Sequence, residues 1–162
     1  MVRIDRDEIK RRYAAGERNF AGLKLGGDLD GLDLTGADLS GTSLEEFFLE
    51  RTILRGANLR NARLDSACLD SADLSGADLR ECILHWTKLR CANLTEADLR
   101  GAKFDDTKFS GANLTKANLT GVDLRRSSLR DANLTEAMLE GANLKKAIFS
   151  NTIMPDGSIQ NS

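Results

Sequence analysis

From Leu29 to Met154 every fifth residue is large and apolar, through 26 positions without a slip in phase. Leucine fills 22 of them, Phe104, Phe109 and Phe149 fill three, and Met154 closes the series. Two residues ahead of each stands a mostly small one: Ala in 15 units, Thr in five, and otherwise Gly27, Leu32, Phe47, Cys82, Val122 or Ser127. The residue just before is Asp or Asn in half the units. A period of five fits neither a helix near 3.6 nor a flat strand near 2. It fits a coil whose backbone runs extended for three residues and turns a corner in two. Ala37 and Leu39 then point inward, Asp38 points outward, and Ser40-Gly41 makes the corner. Nine glycines, from Gly31 to Gly141, hold the fifth position, where positive φ costs glycine nothing. Successive coils stack through backbone hydrogen bonds at about 4.8 Å. The periodicity leaves the number of units per coil open.

The repeat as written, in GADLSG, GANLR, SADLSGADLR and GANLTKANLT, resembles the pentapeptide-repeat family. The opening RYAAGERNFAGLKL and the ending TIMPDGSI resemble flanking segments of members common in photosynthetic bacteria. The resemblance implies an all-β solenoid, a right-handed quadrilateral β-helix of about six and a half coils, with the central Leu and the small residue facing the axis. Most such members have no assigned activity. One subgroup binds DNA gyrase and protects it from quinolones by mimicking duplex DNA.

Stacking at four units per coil predicts surface neighbours. His85 falls between Asp65 and Asp105, Ile83 between Arg63 and Lys103, and Trp86 at the corner between Ser66 and Asp106. Ile83, His85 and Trp86 thus form one small exposed cluster, either a partner-binding anchor or ordinary stray surface apolars. Phe48 and Ile53 make a second outward apolar pair, expected to lie under the N-terminal segment.

That segment differs in kind. Asp5 with Glu8 reads as a capping box, Ile4 with Ile9 as a staple, and Gly16 as a stop, predicting a helix over 6–15. Ile9 and Tyr13 share a face that would cover the open first coil. The expected division is a helical cap over 1–19, the repeat over 20–154 and a tail over 155–162. Phe20 and Leu25 keep the five-residue step but Leu29 follows after four, so Gly26-Gly27 is expected to absorb a one-residue deletion or bulge. At the far end Ile148, Ile153 and Met154 form an apolar terminus, covered by its own tail or paired with a second copy in a homodimer.

The net charge of −2 is unevenly spread. Residues 28–50 hold seven acidic side chains (Asp28, Asp30, Asp33, Asp38, Glu45, Glu46, Glu50) and no basic one. This acidic first coil either docks a basic partner or is neutralised by the cationic N-terminal helix. Mimicry along the whole rod fails on magnitude: duplex DNA carries one charge per about 1.7 Å, or about 18 over a rod of about 31 Å. Mimicry confined to the first coil survives that test. With no basic stripe and no aromatic ladder, direct nucleic-acid binding finds no support.

No apolar run approaches the roughly 18 residues that a membrane helix needs. The N-terminus lacks a hydrophobic stretch, so neither a membrane span nor a secretory signal is expected. The three cysteines match no disulfide or zinc pattern and read as reduced thiols of a cytoplasmic protein, with Cys82 inward and Cys68 and Cys91 outward or at corners. His85 is the chain's one histidine, and a convex stacked surface gives it no nucleophile or oxyanion donors. No catalytic, metal or cofactor set is expected. The sequence points to a non-enzymatic protein-interaction or scaffold module, with a topoisomerase-directed DNA mimic as the alternative.

Overall fold

A computed structural model describes residues 3–26 and 28–162. Parallel bridges link equivalent residues of every fourth unit, in runs such as Asp33, Ile53, Asp73, Asn93, Asn113, Asn133 and Ile153. Four five-residue units therefore make one coil, and the rod has four faces. The inward Leu and small residues form one continuous axial core, with Leu34, Leu44, Leu54 and Leu64 at 0–1% exposure. Burying each such Leu contributes about 2 kcal/mol.

Each unit places its backbone donors in the same way. Leu39 N donates to Asn58 O of the next coil (2.8 Å), and Asn58 N donates back to Ala37 O (2.9 Å). Ala57 N closes a β-turn on Leu54 O (3.1 Å), with Gly56 at φ 58 as its third residue. Positive φ at that position is the mark of a type II turn. Every fifth residue from Gly31 to Asn151 adopts it, including 16 that are not glycine, such as Glu46, Trp86 and Arg126. The donor just after the central Leu is met by the Asp or Asn side chain two residues earlier, as in Ser40 N to Asp38 Oδ1 (3.0 Å) and Thr115 N to Asn113 Oδ1 (3.1 Å). This Asx turn is the physical reason for the Asp/Asn preference.

Buried threonines at the small inward position also satisfy themselves. Thr87 Oγ1 donates to Leu64 O (2.8 Å) and Thr107 Oγ1 to Leu84 O (2.7 Å). Cys82 takes the same place, its thiol donating to Leu59 O (2.8 Å), and burial pushes its pKa up to about 12. Cys68 sits at an outward position yet is buried, its thiol donating to Glu50 Oε1 (3.2 Å). Cys91 is exposed, and all three thiols are free.

Helix α1 (Arg6–Ala14) covers the first coil. Asp5 Oδ1 caps Glu8 N at 2.9 Å, but the Glu8 carboxylate pairs with Arg11, so only half of the expected capping box forms. Ile9 is buried at 1% exposure, and Tyr13 Oη donates to Thr35 O (2.6 Å). Ile4 adds a parallel bridge to Leu25 and packs half-buried against the core. Asn19 bridges to Asp38, whereas Asp33 bridges to Ile53 and every later pair keeps that full four-unit step, so the first coil is one residue short. Gly27, expected to absorb the missing residue with Gly26, lies outside the described residues. The helix does not reach Phe48, which is 60% exposed; its Ile9 and Tyr13 face packs near Leu32 and Leu34 instead.

Strands β1 (Ile83–His85) and β2 (Lys103–Asp105) pair in parallel in mid-rod. At the far end β3 (Thr152–Ile153) and β4 (Ile159–Gln160) form an antiparallel pair.

Candidate functional site

The four corners of each coil stack into four edges along the rod. Three edges contain two to four glycines each: Gly31 and Gly111; Gly36, Gly56 and Gly76; Gly41, Gly101, Gly121 and Gly141. The fourth contains none. Its corners are Glu46, Ser66, Trp86, Asp106, Arg126 and Lys146, at φ 61, 58, 57, 50, 63 and 66. A left-handed residue other than glycine costs about 1 kcal/mol, so this edge keeps a side chain at every corner at the expense of stability. Such strain is more often found where side chains act.

The preceding column on the same edge runs Glu45, Asp65, His85, Asp105, Arg125 and Lys145. The edge thus passes from acidic residues, through an aromatic centre, to four consecutive cations. Ile83 pairs with Lys103 and Arg63, and His85 with Asp105, in the four-unit register. Trp86 is 56% exposed, and its ring centroid lies 5.8 Å from that of His85. Trp86 N donates to Asp105 O (2.7 Å), which fixes the corner. His85 Nδ1 and Asp65 Oδ2 are both buried atoms without a hydrogen-bond partner among the described residues.

The acidic first coil is largely engaged within the chain. Asp28 Oδ1 accepts from Asp30 N (2.6 Å), Asp30 Oδ1 from Glu50 N (2.6 Å), and Asp38 Oδ1 from Ser40 N (3.0 Å). Thr35 donates to Asp33 through both N–H and hydroxyl, holding that carboxyl below the usual range. Arg6 reaches from α1 to the carbonyls of Asp28 and Asp30, at 2.8 Å each, and to Asp28 Oδ1 at 3.7 Å. Of the other helix cations, Arg11 pairs with Glu8 and Arg12 with Glu17, while Lys10 has no acidic partner among the described residues. Glu45 pairs with Arg63, Glu50 accepts from Cys68, and Glu46 stands at its corner. At the far end Ile148 is 41% exposed, while Ile153 and Met154 are half-buried in the terminal turn, where Met154 N donates to Ser158 O (2.8 Å).

The cationic end of the edge escaped the sequence reading. Its signal was present, in the doublets Arg125-Arg126 and Lys145-Lys146 spaced by one coil. There Phe104, Asp105 and Asp123 join the four cations around an open groove of about 230 Å³. Arg125 is bidentate on Asp123, with Nε at 2.8–2.9 Å from its oxygens, and Arg126 pairs with Asp105 and lies 3.9 Å from Asp106. Among the described residues neither Lys145 nor Lys146 has an acidic partner.

A four-sided solenoid with five-residue sides and a central leucine on each side defines a class of protein by geometry alone. The sequence signature described as Pentapeptide repeats, in 8 copies, matches segments that together run from residue 33 to residue 151. The chain belongs to the pentapeptide-repeat family. Full-length QnrB1, a plasmid-mediated fluoroquinolone resistance protein, is similar at 26% identity over 94% of this chain and 70% of its own, with a TM-score of 0.53. A trypsin-treated variant of QnrB1 is similar at 30% identity over 75% of this chain and 57% of its own, with a TM-score of 0.50. HetL, a pentapeptide repeat protein involved in heterocyst differentiation regulation from the cyanobacterium Nostoc sp. strain PCC 7120, shares 29% identity over 97% of this chain and 100% of its own, with a TM-score of 0.35. No curated protein sequence matches the chain. No helix among the described residues is long and apolar enough to cross a membrane.

Proposed function

We propose that the protein is a non-enzymatic interaction module that binds a protein partner along its glycine-free edge, centred on Ile83, His85 and Trp86. The observation that carries this reading is Trp86, 56% exposed at a left-handed corner with φ 57 and flanked by charged rungs. An exposed Trp with an apolar neighbour and a polar rim is the usual composition of a binding hot spot. The coils are taken to wind right-handed, as the family resemblance implies, and the protein is placed in the cytoplasm.

A pull-down from native lysate, comparing wild type with Trp86→Ala and with Phe48→Ala, tests the reading. Wild type and Phe48→Ala should retain the same partner and Trp86→Ala should lose it. Equal recovery by all three forms removes this edge as the contact.

The similarity to QnrB1 favours a second reading, a topoisomerase-directed DNA mimic that uses the acidic first coil. Its weakness is that Asp28, Asp30, Asp33 and Asp38 already accept backbone hydrogen bonds. Glu45→Lys/Glu46→Lys/Glu50→Lys discriminates: a topoisomerase retained by wild type and lost here supports mimicry over the tryptophan-centred contact.

A further inference from the structure

The groove at the cationic end of the edge goes beyond the partner contact at Trp86 and stands on separate observations. Arg125 and Arg126 lie one coil step, about 4.8 Å, beneath Lys145 and Lys146. Like charges at that spacing repel. Asp105 and Asp123 compensate the two arginines, and the lysines remain without carboxylate partners among the described residues. The lining residues alone therefore carry an excess of two positive charges, with the Asp106 carboxylate outside them 3.9 Å from Arg126.

The backbone is also open here. Elsewhere on this edge the corner N–H groups donate to the next coil: Glu46 to Asp65 O (2.9 Å), Ser66 to His85 O (2.9 Å) and Trp86 to Asp105 O (2.7 Å). Among the described residues the equivalent bonds from Asp106 to Arg125 and from Arg126 to Lys145 are missing. The turn bond from Thr107 N to Phe104 O is missing too. Two ladder donors are thus left without a carbonyl beside four cationic side chains. The floor is Phe104, 7% exposed and packed edge-on to Phe109 at 5.5 Å, so one wall excludes water.

We propose that this groove, between Arg125-Arg126 and Lys145-Lys146, is an oxyanion site for a phosphate group. The net charge of the lining matches a phosphate monoester, which carries about −1.5 to −2 at neutral pH. A carboxylate would leave one positive charge uncompensated. At about 230 Å³ the space is smaller than the roughly 300–1,000 Å³ of pockets for drug-sized ligands. It holds one compact anion. Each guanidinium is already oriented by its aspartate and keeps further N–H donors for the ligand. Bound phosphate would screen the stacked cations from one another.

The test is an isothermal titration of the full chain with inorganic phosphate, phosphoserine, sulfate and acetate at constant ionic strength. Lys145→Ala/Lys146→Ala removes exposed side chains and should leave the melting temperature of the unliganded protein near wild type. Phosphate should bind wild type saturably, at least tenfold more weakly to this variant, and unchanged to the control Lys24→Ala/Lys88→Ala. Phosphoserine binding should tighten as pH rises through the phosphoester's second ionisation near about 6. If phosphoserine binds and free phosphate does not, the group is recognised as an ester. If both bind equally, free phosphate suffices. Acetate equal to phosphate, no saturable binding, or the same loss in both lysine variants overturns the site. None of these outcomes depends on whether Trp86 holds a protein partner.

Discussion

Asn58 Nδ2 donates to Asp38 Oδ1 at 3.0 Å across one coil step, and that oxygen also accepts from Ser40 N. Asn93 repeats the relationship with Asp73 at 3.0 Å, while its own Oδ1 accepts from Thr95 N and Oγ1. The outward Asp/Asn position is therefore structural: it closes its own corner and ties it to the coil before. Asn93→Ala should cost about 1.5–4.5 kcal/mol, since it loses three hydrogen bonds each worth about 0.5–1.5 kcal/mol. Asn93→Asp keeps the local turn but faces the Asp73 carboxylate, and should fall between Ala and wild type. Urea midpoints at constant slope measure the order, and Asn93→Ala as stable as wild type would show that the Asx turn is dispensable.

Corners can be tested without steric complication at Gly76, where φ is 64 and an added Cβ would meet no atom within 4 Å. Left-handed strain of about 1–2 kcal/mol is offset by about 0.4–1 kcal/mol of reduced unfolded-state entropy. Gly76→Ala should thus destabilise by about 0.5–1 kcal/mol. The reverse change, Glu96→Gly at φ 60, should stabilise by a similar amount. Thermal unfolding of both variants decides it; a Gly76→Ala chain more stable than wild type together with a less stable Glu96→Gly chain would mean that these corners carry no strain.

Ser127 is 0% exposed at the small inward position, and its hydroxyl lacks a partner among the described residues. The threonines at equivalent positions donate to a central leucine carbonyl, and Thr107 Oγ1 to Leu84 O is an example. An unsatisfied buried hydroxyl costs about 1–3 kcal/mol. Ser127→Ala restores the commonest residue of the repeat and should stabilise the protein by about 1 kcal/mol. A lower urea midpoint for Ser127→Ala would show that the hydroxyl is satisfied in solution.

Hydrogen bonds from Arg80, Arg100 and Arg125 hold the carboxyls of Asp78, Asp98 and Asp123 below their usual values. Their folded pKa values lie under the unfolded value of about 4. The stability they contribute is present above that value and is lost as pH falls through the folded ones. Asp78→Asn/Asp98→Asn keeps acceptors for the corner N–H groups but removes both titrations. The drop in urea midpoint between pH 7 and about pH 2.5 should be smaller in this variant than in wild type. An equal or larger drop would place the acid sensitivity in other groups.

The five-residue period made the solenoid legible because each unit buries the same two side chains, so one strong signal repeats 26 times. Four units per coil lay outside that signal: nothing within one unit says when the chain returns above itself, and only the bridges between coils show it. The glycines marked nine corners but hid the other 16, because a left-handed residue other than glycine leaves no compositional trace. Ile83, His85 and Trp86 were legible as neighbours once the four-unit step was assumed. Arg125, Arg126, Lys145 and Lys146 carry an equally regular one-coil spacing, but pairing along the rod appears only when whole columns are compared. The capping of Asp28, Asp33 and Asp38 was hidden for another reason. An acidic side chain reads as surface charge until the backbone donor it satisfies is known.

The C-terminal end gives the last prediction. Leu119, Leu124 and Leu129 are 0–1% exposed, whereas Leu139, Leu144 and Phe149, one coil further on, are half-buried. The β3–β4 pair extends only the face that contains Thr152–Ile153. The remaining three faces present apolar core and a row of backbone donors to water, an arrangement that favours pairing with another chain. A second copy placed end to end would cover both, with Ile148 at the rim. Light scattering at micromolar concentration should give twice 17.7 kDa for wild type and 17.7 kDa for Phe149→Glu. Phe149→Glu removes a terminal contact, so its N-terminal coils should keep their circular dichroism and urea slope. A monomer mass for wild type would mean that the tail residues alone cover the end. A Phe149→Glu chain that stays dimeric would move the seam to another surface.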